Sequence, residues 1–196
     1  MFWYLDFETF SDRDIVKDGA YVYTASERFV PLMMSYALGD SPVKRVEDVE
    51  DMREVISEAL QSGGYLVAHN AQFERLVCSR LAGLPEGEYL DPGRFIDTAA
   101  LAASQGYPRA LGPLAKALGI EEKDSAGTRL ISLFCKPKRD GSRTLPADRP
   151  EDWARFGEYC DRDVYVLRDA HRALMARYPH PRPEYAGFST EAEAEV

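Results

Sequence analysis

Asp6 and Glu8 sit two residues apart in the apolar run FWYLDFETF. In an extended strand, side chains at i and i+2 share a face, so this spacing holds two carboxylates side by side. Two unit charges about 4 Å apart repel by roughly 4 kcal/mol at an effective dielectric of about 20. A strand with a purely structural task has no use for that repulsion. It is tolerated if one acid keeps its proton, if the pair lies at a wet sheet end, or if a cation lies between the two. Far along the chain, Tyr159 and Asp163 in EYCDRDVYVL are spaced i, i+4 and lie one above the other on a helix, while Asp161 points elsewhere. Val166 and Leu167 continue that face, which places Asp163 at the edge of a core rather than in bulk solvent. A third polar group, His69, Asn70 and Glu74 in HNAQFE, falls where an apolar strand runs directly into a helix. Oxygen donors of this kind, without a histidine or thiol cluster, favour Mg²⁺ or Mn²⁺ over zinc.

The surrounding elements must bring these three groups together. FWYLDFE reads as a strand with Trp3, Leu5 and Phe7 facing the core. LMMSYALGD reads as a buried strand and VKRVE as its shorter partner, which together make a meander. Residues 11 to 28 are polar and turn-rich, with Ser11 or Asp12 capping a short helical turn before Gly19. Val49, Met52, Val55, Ile56, Ala59 and Leu60 recur at helical spacing until Gly63-Gly64 ends the run. YLVAHN is a strand feeding the helix AQFERLVCSRLAG, and RFID is a further strand whose Asp97 caps the helix TAALAAS. A short helix LGPLAKALG, a helix around TRLISLFC and the exposed basic loop KPKRDGSRTLPADRP follow. Pro150 then opens a long helix over 151 to 177, with acids in its first turn where the dipole favours them. The pattern predicts an α/β domain over residues 1 to 178, built on a mixed five-stranded sheet flanked by helices, and a Pro-rich then acidic tail over 179 to 196.

A chain of 196 residues with 45% hydrophobic content can bury one proper core. Its formal net charge of −9 argues against a general nucleic-acid coat or an anionic-membrane binder, but not against an enzyme that grips phosphates through bound cations. Cys78, Cys135 and Cys160 are widely spaced and odd in number, so neither a disulfide framework nor a zinc knuckle is expected, and each reads as a small packing residue. That usage fits a reducing cytoplasm. No export signal is expected, because Asp6 and Glu8 interrupt the first apolar run, and no membrane span, because the longest uncharged apolar stretch, FVPLMMSYALG, falls far short of the roughly 20 residues needed and contains Pro31. His171 and His180 read as solvated surface residues.

Taken in order, D-x-E, HNAQFE and Y-x-x-x-D resemble the three motifs of the DEDD 3′-5′ exonucleases, in the subclass whose third motif carries tyrosine. The likeness is strongest to the proofreading domain of phage-type family A DNA polymerases. AHNAQFER, IDTAALA, LAKALGI, LFCKP and EYCDRDV carry it across about residues 3 to 177. The resemblance implies an RNase H-like (DnaQ-like) fold and phosphodiester hydrolysis with two divalent cations, Mg²⁺ or Mn²⁺. By the same resemblance, Asp6 would touch both ions, Glu8 and Asp163 would complete one of them, Glu74 would reach its ion through water, and Tyr159 would orient the attacking water. Thr9 would contact the terminal nucleotide, with Asn70 and Phe73 positioning the 3′ end. His69 lies among these positions and reads as a buried hydrogen-bonding residue rather than a metal ligand.

This chain departs from the pattern at two points. Glu74 stands where the second motif has aspartate, with Asp97 as a substitute ligand or, more simply, a helix cap. Asp12 stands where an apolar wedge would separate bases, leaving Phe10 as a candidate. Lys136, Lys138, Arg139 and Arg143 are either a solvated turn or contacts to the phosphates of the incoming strand. The resulting expectation is an exodeoxyribonuclease acting on single-stranded or frayed DNA 3′ ends, partnered by a DNA polymerase on a separate chain, in a bacterial or phage-infected cell. The alternatives are an exoribonuclease of the same type, or a weakened exonuclease fold that docks a polymerase or nucleic acid.

Overall fold

The structure, a computed structural model, describes residues 1–120 and 127–177. The chain enters on β1 (Phe2–Phe10), an apolar strand rich in aromatic residues that suit a pleated, buried surface. Helix α1 (Ile15–Ala25) follows, then β2 (Val30–Leu38), β3 (Lys44–Val46) and α2 (Val49–Gln61). β4 (Tyr65–Ala68) runs into α3 (Gln72–Leu81), and β5 (Phe95–Asp97) runs into α4 (Thr98–Ser104). Helices α5 (Leu111–Leu118), α6 (Gly127–Phe134) and α7 (Pro150–Arg177) complete the described fold.

The five strands form one mixed sheet in the order β3-β2-β1-β4-β5. β1 lies at its centre, antiparallel to β2 and parallel to β4; β2 pairs antiparallel with β3, and β4 pairs parallel with β5. The expected meander is β1-β2-β3, and the parallel half is reached through the α2 and α3 crossovers. The expected α/β class and five-stranded mixed sheet are thus observed among the described residues. The proposed tail over 179 to 196 and His180 lie outside them.

A central strand must be covered on both faces. On one face Trp3, Leu5 and Phe7 pack with Met34 and Leu66 beneath Met52 and Ile56 of α2 and Val77 of α3. On the other, Tyr4, Ala37 and Val67 pack beneath Val164 and Leu167 of α7. The expectation that only the Trp3-Leu5-Phe7 parity faces a core is therefore corrected. Tyr4 presents its ring to α7, and the polar residues of that parity, Asp6 and Glu8, are confined to the far end of the strand. The 28-residue α7 also joins two lesser clusters, one with Phe10, Met33, Leu130 and Phe134, the other with Ala102 and Leu114.

Residues 11 to 28 hold more helix than their polarity suggests. Asp14 caps α1, accepting from the backbone N–H groups of Val16 and Lys17, and Gly19 kinks the helix at φ +80°. That kink breaks the hydrophobic period, which is why the sequence reads as a turn. Ser11 and Asp12, expected as caps, instead tie down the far end of the segment: Ser11 Oγ donates to the Tyr23 carbonyl at 2.9 Å and Asp12 accepts from Ser26 at 2.5 Å.

Candidate functional site

The carboxyl end of β1 carries Asp6 and Glu8 on the face covered by α7. The register against β2 slips between Glu8 and Thr9, a bulge that ends the regular ladder just past the acidic pair. From α7, the i, i+4 pair Tyr159 and Asp163 is buried at 6% and 5% exposure. The Tyr159 phenol is hydrogen-bonded to Asp163, and Glu8 and Asp6 lie near enough to act on it electrostatically. Burial first, and then the three surrounding carboxylates, hold that phenol well above its ordinary pKa, so it stays a neutral donor.

Glu74 arrives from the opposite side. The turn from β4 into α3 passes through Asn70, which adopts a left-handed backbone at φ +65°. Asn70 is one of the few non-glycine residues that tolerates this conformation. Its N–H donates to Asp97 Oδ1 at 2.9 Å, and the same oxygen caps α4 by accepting from Ala99 at 2.8 Å. The expected cap role of Asp97 is thus observed, and it also fixes the turn that launches Glu74. Glu74 is 5% exposed, and its carboxyl is raised well above the usual range by burial, then by Asp6, Asp97 and Glu8. Glu74 Oε2 and Asp97 Oδ2 are buried without hydrogen-bond partners. Buried carboxyl oxygens left in that condition cost free energy unless a proton or a cation meets them.

Three distant segments therefore converge on one acidic centre of Asp6, Glu8, Glu74 and Asp163 with Tyr159 beside it, and Asp97 on its border. Hard oxygen donors held together against their own repulsion fit divalent cations of the Mg²⁺ or Mn²⁺ kind. The cysteines, read as packing residues, adjoin the same centre. Cys160 Sγ lies 3.6 Å from Asp6 Oδ2, Cys135 Sγ lies 3.7 Å from Glu8 Oε2, and Cys78, one turn after Glu74, feels that carboxylate. All three thiols are buried and raised above the ordinary thiol range, chiefly by burial. The adjacency of Cys160 to Tyr159 and the i, i+4 spacing of Glu74 and Cys78 on α3 hint at this; the contact of Cys135 with Glu8 joins separate elements.

The remaining predicted residues divide. Asn70 is exposed and Phe73 half-buried, its ring 5.9 Å from that of Tyr23. His69 makes the expected hydrogen bonds, to Thr98 Oγ1 at 2.9 Å and to the Arg109 carbonyl at 2.6 Å. Thr9 is buried, with its hydroxyl 3.1 Å from that of Tyr23, a residue whose place here the sequence does not suggest. Phe10 is corrected as a wedge: it is 2% exposed, packed with Met33 and Phe134, and its ring lies under the Arg143 guanidinium at 5.9 Å. The apolar side chains that do reach solvent near this end of β1 in sequence are Ile15 and Val16. Lys136, Lys138 and Arg139 are exposed on a tight turn closed by Lys138 and Ser142. Arg28, unnoticed in the sequence, anchors that turn by donating to the Gly141 carbonyl at 2.6 Å. His171 is corrected from surface to core: it is 2% exposed, with Nδ1 3.0 Å from the Tyr4 hydroxyl.

The chain is 38% identical over 174 residues to a DNA polymerase of Bacillus phage SP02. That match takes in 84% of this chain and 26% of the relative, so the chain spans about a quarter of the protein it resembles. No family model matches it. Among the described residues, no helix is long and apolar enough to cross a membrane.

Proposed function

We propose that this chain is a metal-dependent 3′-5′ exonuclease of the DEDD type with a tyrosine in its third motif, built on an RNase H-like sheet, and that it removes nucleoside monophosphates from single-stranded or mismatched DNA 3′ ends. The observation that carries this reading is the convergence of Asp6, Glu8, Glu74 and Asp163 with Tyr159 from one strand and two helices. The strand order, with a long helix laid across the central strand, is compatible with that fold. Similarity to a phage DNA polymerase supports DNA as the substrate and proofreading as the role, whether the polymerase is a separate chain or a continuation of this one.

Two divalent cations bound by Asp6, Glu8, Asp163 and Glu74 would supply a nucleophilic water at neutral pH and neutralise charge on the phosphodiester. The chain's own groups do the rest. Tyr159, kept protonated by its surroundings, orients the water by hydrogen bonding and does not take its proton. Glu74 is one methylene longer than aspartate, and its placement on the first turn of α3 brings it to the centre nonetheless. Asn70, Phe73, Lys136 and Arg139 are the residues assigned to contact with the 3′ end on this reading.

Matched DNA and RNA oligonucleotides, labelled at the 5′ end and incubated with Mg²⁺, Mn²⁺ or EDTA, test the reading. Stepwise shortening from the 3′ end of DNA, with release of nucleoside monophosphates and arrest by EDTA, is expected. Preferential shortening of RNA would replace the substrate class, and intact strands under both metals would overturn the activity.

A further inference from the structure

The donor set at the acidic centre is not purely oxygen. One carboxylate oxygen each from Asp6 and Glu8 and the sulfur of Cys160 all lie within 4.8 Å of one another. Cys160 Sγ is 3.6 Å from Asp6 Oδ2. A tetrahedral zinc with a Zn–S bond of about 2.3 Å and a Zn–O bond of about 2.1 Å needs its sulfur and oxygen ligands about 3.6 Å apart. The sulfur and the carboxylate are therefore already spaced as ligands of one thiophilic ion. An independent observation points to a cation at this centre: Glu74 Oε2, on a side chain only 5% exposed that feels the charges of Asp6 and Glu8, is buried without a hydrogen-bond partner.

We propose that this centre also takes up a thiophilic divalent cation of the zinc and cadmium class, with Asp6, Glu8 and Cys160 Sγ as direct ligands, and that this state competes with the hard cations needed for hydrolysis. A metal–sulfur bond forms, the thiol proton passes to the buffer, and no atom changes oxidation state. Soft thiolate draws zinc and cadmium, while Mg²⁺ has no use for sulfur. The same centre would then be active or silenced according to which ion fills it. Cys135 Sγ, 3.7 Å from Glu8 Oε2, stands outside the three-donor group and is not needed.

The inference rests on the proposed reading of Asp6 and Glu8 as a cation site, but its test does not depend on hydrolysis. Cd²⁺ is titrated into the full 196-residue chain while sulfur-to-metal charge-transfer absorption in the ultraviolet is followed. The band is expected in the wild type, in Cys78→Ser and in Cys135→Ser, and absent from Cys160→Ser. Asp6→Ala should weaken Cd²⁺ uptake by about tenfold or more. In the wild type, added Mn²⁺ should shift the Cd²⁺ titration to higher concentration, a readout that needs no variant to fold. A wild type with no band, a band retained in a folded Cys160→Ser, or a titration indifferent to Mn²⁺ would each overturn the proposal. Mg²⁺-dependent shortening of DNA without a Cd²⁺–thiolate band would sink this inference and leave the exonuclease standing; a Cys160-dependent band without shortening would do the reverse.

Discussion

Gly127, the first residue of α6, lies so close to the ring of Tyr159 that a methyl group on its Cα would overlap the ring. The glycine fixes where the phenol can sit. Gly127→Ala should push the ring aside, and a displacement of about 1 Å at a reacting centre can cost about 100-fold in rate. The expected result is a fall in kcat of that order with Mn²⁺ binding retained, measured by steady-state hydrolysis and thermal shift. Unchanged kcat would show that the ring position does not matter.

Tyr159→Phe separates the hydroxyl from the ring. The ring's packing against Phe156 is kept, while the hydroxyl beside Asp163 is lost. Rate should fall by about 100-fold or more, the scale of a positioned proton donor. The rise in Tm with Mn²⁺ should survive; losing it would mean that Tyr159 supports the metal ligands rather than the water.

Glu74→Gln should have opposite effects with and without metal. The Glu74 carboxyl is held above its ordinary value by burial and by Asp6, so it favours the fold below an unfolded pKa of 4.5 and becomes a burden as pH rises past that value. At pH 7 to 8 in EDTA the variant should therefore be more stable than the wild type. In Mn²⁺ the order should narrow or reverse, because saturating an ion at about 100 times its Kd adds about 2.7 kcal/mol only where the site is complete. Chemical unfolding in both conditions measures this, and a variant less stable in EDTA would contradict it.

Much of this architecture was legible in the sequence, and the gaps have physical causes. The strands β2 and β4 and the helices α2, α3 and α7 announce themselves because each buries a regular stripe. Helix α1 hides behind the kink at Gly19, and the second face of β1 hides behind the amphipathic Tyr4. His171 looked solvated among charged neighbours, yet it falls four residues after Leu167 and three before Leu174, on the buried stripe of α7. The acidic centre could be anticipated from i, i+2 and i, i+4 spacing. The contacts of Cys135 with Glu8, Gly127 with Tyr159 and Arg28 with Gly141 could not, since each joins elements whose meeting only the tertiary fold decides.

His171 should make the fold acid-sensitive. Burial beside Tyr4 lowers its pKa from 6.5 to about 4, so the folded state resists a proton that the unfolded chain accepts. Stability from this group is full above pH 6.5 and is lost as pH falls toward 4, by about 3 kcal/mol in all. His171→Phe should flatten the unfolding free energy over that window even if it lowers the plateau. A slope identical to wild type would show that other groups govern acid unfolding.

The exposed turn offers a salt test. If Lys136 and Arg139 meet phosphates of the single strand, replacing either with alanine should lower the slope of log binding against log salt by about 0.7. Equal slopes would return the turn to a solvated loop.

Asp6 is the residue on which the hydrolysis depends. The decisive measurement is a time course on a 5′-labelled DNA strand with a mismatched 3′ end, in Mg²⁺, Mn²⁺ and EDTA, comparing wild type with Asp6→Ala. A ladder descending from the 3′ end that requires metal and vanishes in a folded Asp6→Ala protein is the predicted result. An undiminished ladder in that variant, or none from the wild type under either metal, would contradict it.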